Sequence, residues 1–457
     1  MRGFVVGMAA SVLAACVGGG EPAVRSPSNA PGPAAVPSAN LSPSGAASPS
    51  AVASTSPSAV ASPSPVDRVA EWRDDFERLV PGMEALHPDL YHGVRRSALH
   101  DAVAALEREI PDLNDDQVMV RLLEIVAMVS DQGREGHTGA FVWGTGTYPV
   151  HSLPLRVWPF PDGVFVVDAL PPYEDLVGQR VVSVAGRPVE SVFRTIAPLV
   201  PHDNRMTITL VTPRFLLIPE VLHGLGLIDE VGPVELGLEG SAAPLAIEPV
   251  EMTEYNAWAG EYGLFLPPKA GVRWLSRSEE PIWFERIPGT GALYVQYNRV
   301  EFFFDADLSA LRRAVAAPGV ERIVVDIRNN FGGQTHAFPD VVRVLTRATG
   351  RGTPIVVITG RNTFSAASLF AARLERTADP LFVGEAMGGS PNLYGNPRDV
   401  LLSNSGIDVS VATGSFVGNT RDDPRLTIAP DVPAPMTSAD YFAGRDPAVR
   451  AALTAPR

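Results

Sequence analysis

The stretch RNTFSAASLFAARLE (361–375) sets the hydroxyls of Thr363, Ser365 and Ser368 among alanines, directly after the apolar run PIVVITG (354–360). Where a strand hands over to a helix, the first N–H groups of the helix lack partners within it, and together with the helix dipole they favour negative charge. A serine at that junction has the surroundings of a nucleophile, with the Ala366 amide facing the oxyanion formed when it attacks a carbonyl. A second apolar run, RIVVDIRNNFGGQ (322–334), ends in Gly332 and Gly333, whose lack of Cβ lets main-chain N–H groups approach a ligand. The amide of Gly332 or Gly333 would be the second donor. The plainer alternative makes Ser365 a helix N-cap and the glycines a turn.

A serine nucleophile needs a base. The chain has one lysine, Lys269 in the Pro-rich stretch LPPKAGV, and arginine stays protonated, so a serine–lysine pair is not expected. Histidine titrates near neutrality and is the usual base for a serine. There are eight: His87, His92, His100, His137, His151, His202, His223 and His336. His137 lies in REGHTGA (134–140), His336 is close to the glycine turn, and His87, in LHPDLY, reads as a structural residue of a helical region. A histidine base is expected to give activity that rises with an apparent pKa of about 6 to 7.5.

The order VVDIRNNFGG, then TFSAASLFAARL, then FVGEAMGGS resembles the serine peptidases of the C-terminal processing (tail-specific) and tricorn-like group, over about 291–457. REGHTGA is similar to the histidine motif of the tricorn-like members. The resemblance implies a crotonase/ClpP-like βαβ core, Ser365 as nucleophile, Gly332 and Ala366 as the oxyanion hole, and His137 as base. The processing proteases carry a lysine about 25 residues after the serine; here that position is Ser390, so the chain is of histidine rather than lysine type. The tricorn-like acidic residue near the chain end falls on Asp423, or its neighbour Asp422, before Pro430 and Asp431. The family more often has glutamate there, and DDP also reads as a surface turn. Glu135 is the alternative third member, while Glu385 reads as structural. The resemblance implies a polypeptide substrate, endopeptidase activity and no cofactor, and it leaves a homo-oligomer open. The competing function is a peptide- or cell-wall-binding protein without turnover on the same fold.

The positioning elements follow from pattern. From 291 onward, apolar strands alternate with helices of ten or so residues, which predicts parallel strands joined by right-handed crossovers, an α/β core with function at the strand ends. Residues 67–135 carry apolar side chains at helical spacing and read as a helical subdomain. Residues 136–290 read as β-rich, and VVSVAGRPVESV within them resembles a degenerate PDZ-like module without its carboxylate-binding loop.

Residues 17–66 are almost entirely Pro, Ser, Ala and Gly and read as a disordered tether, with a reach on the order of 100 Å if polyproline-like. The first sixteen residues, ending in LAAC, resemble a lipoprotein signal whose Cys16 carries lipid, placing the protein outside the cytoplasm with the lipid as its sole membrane contact. Cys16 is the only cysteine, which excludes disulfides within the chain. A net charge of −14 over 457 residues excludes nucleic acid as an expected partner. No G-x-S-x-G elbow, H-E-x-x-H zinc site, P-loop or dinucleotide fingerprint is present.

Overall fold

A computed structural model describes residues 65–143, 148–260, 264–303 and 305–455. The signal, Cys16 and the tether through residue 64 lie outside the described residues, and positions 65 and 66, counted with the tether from sequence, begin the first helix. Among the described residues, no helix is long and apolar enough to cross a membrane.

The C-terminal core is a mixed six-stranded sheet ordered Ile282–Ile287, Ala292–Tyr297, Arg322–Asp326, Ile355–Thr359, Leu381–Gly384, Val432–Pro433. Its first pair is antiparallel and the rest are parallel. Ile355–Thr359 is buried at every position, which is why it reads as a continuous apolar run rather than an alternating one. The helices Asp305–Val315, Phe338–Thr349 and Ala366–Ala378 make the crossovers. Their apolar side chains meet the strands in one core that includes Val325, Val341, Leu345, Val357 and Phe370, each fully buried. Side chains of this size stabilise the fold by about 1.5–3 kcal/mol each when removed from water.

The N-terminal region is helical, with Pro65–Leu86, Arg96–Glu109 and Asp115–Ala127; Asn114 caps the third by a reciprocal pair of hydrogen bonds with Gln117. The middle region holds an antiparallel sheet built on Leu155–Phe160, Gly163–Ala169, Arg180–Val184, Val234–Leu238 and Leu245–Ile247. It is less purely β than its sequence suggests. Residues Arg205–Leu216 form a helix although MTITLVT is rich in β-branched residues, because the segment is buried from Leu210 to Leu216 and tertiary packing overrides local propensity.

One element absent from the sequence reading matters most. The strands Asn392–Leu402 and Ile407–Val417 form a long antiparallel hairpin, and the short strand Gly139–Phe141 pairs with the second of them. The Asp75 carboxylate on the first helix accepts the Asn404 and Ser405 amides at the hairpin tip, at 3.0 and 2.8 Å. The hairpin thus connects the helical region to the core.

Candidate active site

Ser365 stands between the buried strand Ile355–Thr359 and the helix Ala366–Ala378, with φ 53° and ψ −129°. A serine held in that region is strained, and such strain persists where surrounding structure and function require it. Ser365 does not cap the helix, since its side chain makes no hydrogen bond to the first turn. Its Oγ lies 2.9 Å from Nε2 of His137 instead. Of the neighbouring hydroxyls, Thr363 donates to the Ile327 carbonyl and Ser368 to the Thr363 carbonyl.

His137 is brought there by the hairpin. Thr138 Oγ1 accepts the Ala412 amide at 2.9 Å, and the Tyr394 amide donates to the Arg134 carbonyl at 3.1 Å. The imidazole stacks on Phe364, the residue before the serine, with ring centres 4.7 Å apart. Burial lowers its pKa to about 4, opposed in part by the charge of Glu135. The neutral-range titration expected of a histidine base therefore shifts downward, because this ring has lost the water that stabilises an imidazolium. Among the described residues Nδ1 has no hydrogen-bond partner, and the nearby Tyr394 main chain favours the charged ring, after Glu135.

Gly332 lies against the serine, since a Cβ built there would fall 2.6 Å from Ser365 Cβ and 3.0 Å from the Ala366 nitrogen. Its amide, expected to face an oxyanion, donates instead to Oδ1 of Asn330 at 2.9 Å, an Asx turn within the N-x-GG segment. Asn330 is fully buried, and its Nδ2 donates to the Tyr297 carbonyl. The Ala366 N–H opens its helix at the position where first-turn amides lack intrahelical partners. Alongside the glycine turn runs a cavity of about 420 Å³ lined by Arg156, Phe265, Leu266, Phe331, Gly332 and Gly333.

The acids are arranged differently from the sequence expectation. Asp423 turns its carboxylate to Arg425, at 2.7 Å, and that hydrogen bond holds its carboxyl below the usual range. Its link to the histidine segment is through its main-chain carbonyl, which accepts Nη2 of Arg134 at 2.7 Å. Asp422 is exposed. Glu135 is fully buried, and its Oε2 lies 3.0 Å from Nε2 of both His87 and His92. Burial opposes its charge, yet the hydrogen bonds from His87 and His92 hold its carboxyl at about 2.

Other candidates fall elsewhere. Ser390, at the family's lysine position, donates its hydroxyl to the Leu426 carbonyl. Lys269 holds its ammonium over the rings of Tyr441 and Phe442, 5.7 Å from each. His336 is exposed and lies against Phe302, and Glu385 pairs with Arg361 at 2.8 Å.

Sequence reasoning missed Asp203, whose carboxylate accepts the Gly136 amide through one oxygen and the Ser390 amide through the other, both at 2.7 Å. It ties the histidine segment to the loop behind the serine, and burial pushes its carboxyl up to about 7. Nothing local in VPHDNRM signals this role, because both partners are remote in sequence. Asn330 was legible in principle, since an asparagine two residues before a glycine turn is the usual Asx-turn signature.

No family profile matches the chain, and no curated protein matches it. Solved structures do. The chain is similar to mature CPAF, with a TM-score of 0.55 at 14% identity over 82% of this chain and 95% of that one. The s499a mutant of CPAF matches with a TM-score of 0.58 at 14% identity over the same shares. Mature CPAF complexed with lactacystin gives 0.54 at 13% identity, covering 82% of this chain and 96% of that one. At these identities the likeness establishes a shared fold.

Proposed function

We propose that the protein is an extracytoplasmic serine-type endopeptidase of histidine type. The observation that carries this reading is a strained, buried Ser365 whose Oγ sits 2.9 Å from Nε2 of His137 beside a glycine turn. Ser365 Oγ bonds to the carbonyl carbon of the substrate while its proton passes to His137 Nε2. The Ala366 amide stabilises the oxyanion, joined by the glycine-turn amide once Asn330 releases it. The C–N bond then breaks as His137 returns the proton to the leaving amine, and water hydrolyses the acyl-enzyme by the same route. The cavity beside Gly332 and Gly333 receives the polypeptide.

A fluorophosphonate should label the full chain at Ser365 and leave Ser365→Ala unlabelled. Lactacystin, found in complex with mature CPAF, serves as a second probe. The bond between Asn330 and the Gly332 amide favours the competing reading, a peptide- or cell-wall-binding protein without turnover. Absence of both labelling and hydrolysis would decide for that alternative.

The buried histidine also sets the pH dependence. A base with a depressed pKa is unprotonated throughout the neutral range and is lost only as pH falls through about 4. The profile of kcat/KM on an unstructured polypeptide should therefore be level through neutrality, with its acid limb near that value. A limb centred between about 6 and 7.5 would mean a hydrated ring with an ordinary pKa.

Localisation rests on LAAC and the tether after it. Cys16→Ser should release soluble protein from membranes, and unchanged fractionation with membranes would reject the lipid anchor.

A further inference from the structure

We infer that Glu135, held in place by His87 and His92, is the charged group that balances His137 as it takes the Ser365 proton. This assignment rests on the peptidase reading above and gives Glu135 the part expected of Asp423. His87 follows the helix Pro65–Leu86, and His92 lies in the turn beyond it, so HPDLYHG reaches into the site from the helical region. Nδ1 of His87 accepts the Asp89 amide at 3.0 Å, which places the proton of the neutral ring on Nε2. That Nε2–H donates to Glu135 Oε2. His92 presents its Nε2 to the same oxygen and donates in the same way. Both rings pack on Tyr394 of the hairpin, with centres 4.9 and 4.3 Å away.

A buried carboxylate without compensation takes up a proton. Here two imidazole N–H donors, rather than an arginine, keep Glu135 ionised. The other groups around it are Thr138 and His137 on its own segment, Arg134 and Asp203 nearby, and Tyr394 from the hairpin. Asp423 cannot substitute, because its charge is spent on Arg425. The ligand atoms of His87, His92 and Glu135 lie within 4.8 Å of one another, so a divalent cation is the competing occupant. A ligating Nε2 must be deprotonated, with Nδ1–H donating to an acceptor, whereas Nδ1 of His87 meets an N–H donor. The geometry therefore points to a hydrogen-bonded support and away from a metal cradle.

The test uses the full chain with Glu135→Gln and His92→Phe. Glu135→Gln should lower kcat about a hundredfold with KM unchanged, since the charge it removes acts on the transition state. His92→Phe keeps a ring against Tyr394 and removes one donor, so Glu135 takes up its proton at higher pH. Its acid limb should move upward, with activity at pH 5 falling at least tenfold further than activity at pH 8. Wild-type kcat in Glu135→Gln, or a His92→Phe profile that parallels wild type at every pH, would overturn the inference. So would one-to-one binding of zinc to the wild-type chain in calorimetry that His92→Phe abolishes. If Glu135→Gln does not fold, the His92→Phe profile decides alone. A wild-type chain that neither labels nor hydrolyses sinks the peptidase reading and this inference with it. An active, labelled wild type with indifferent variants sinks this inference only.

Discussion

Ser365→Ala and His137→Ala are each expected to lower hydrolysis of an unstructured polypeptide by roughly a thousandfold or more. The two side chains share one proton across 2.9 Å, so removing either removes the same step. The double variant should accordingly be hardly worse than either single one. Lys269→Ala should keep nearly full activity, because its ammonium lies over Tyr441 and Phe442 and serves neither proton transfer nor the oxyanion. Steady-state rates of the four variants at one neutral pH make the comparison. An active His137→Ala beside a dead Lys269→Ala would overturn the mechanism while leaving the fold untouched. Asp423→Ala should cost less than either main variant, its carboxylate being directed at Arg425.

Gly332→Ala should reduce kcat/KM at least a hundredfold and lower the unfolding temperature by a few degrees. Two effects coincide at this residue. Its φ of 114° is one that an alanine adopts only under strain, costing about 1–3 kcal/mol. The new methyl would also meet Ser365 Cβ at 2.6 Å, a distance at which something must move, and what moves is the nucleophile or the Ala366 amide. Gly186→Ala supplies the control, since Gly186 has φ 71° in open space in the middle region. It should lower stability while leaving catalysis alone. Equal activity loss in the two variants would mean that backbone strain, rather than the approach to Ser365, sets the effect.

Much of the core was legible from sequence because its signals are local. RIVVDIR and PIVVITG are buried on both faces and read as parallel strands without any knowledge of their neighbours. The helix Phe338–Thr349 keeps one apolar stripe, so its period survives in the sequence. Arg205–Leu216 lost that signal because it is buried nearly all round and rich in β-branched residues. The hairpin was missed because NLYGNPRDVLL lacks a steady alternation and its burial pattern is irregular.

The site divides along the same line. Sequence alone singled out the residues whose types suit the proposed chemistry: a serine at a strand-to-helix junction, a histidine in a short motif, glycines at a strand end, and a single lysine set in a Pro-rich stretch. Those properties belong to residue type and near neighbours. Only the tertiary structure decided where the acids turn, since the Asp423 carboxylate meets Arg425 while that of Glu135 meets His87 and His92. It alone decided that the imidazole is buried enough to titrate near 4, that the Gly332 amide is held by Asn330, and that Asp203 binds two segments together. Hydrogen bonds between residues far apart in the chain, and the loss of water around a side chain, are set by packing from several segments at once, and no single stretch of sequence carries them.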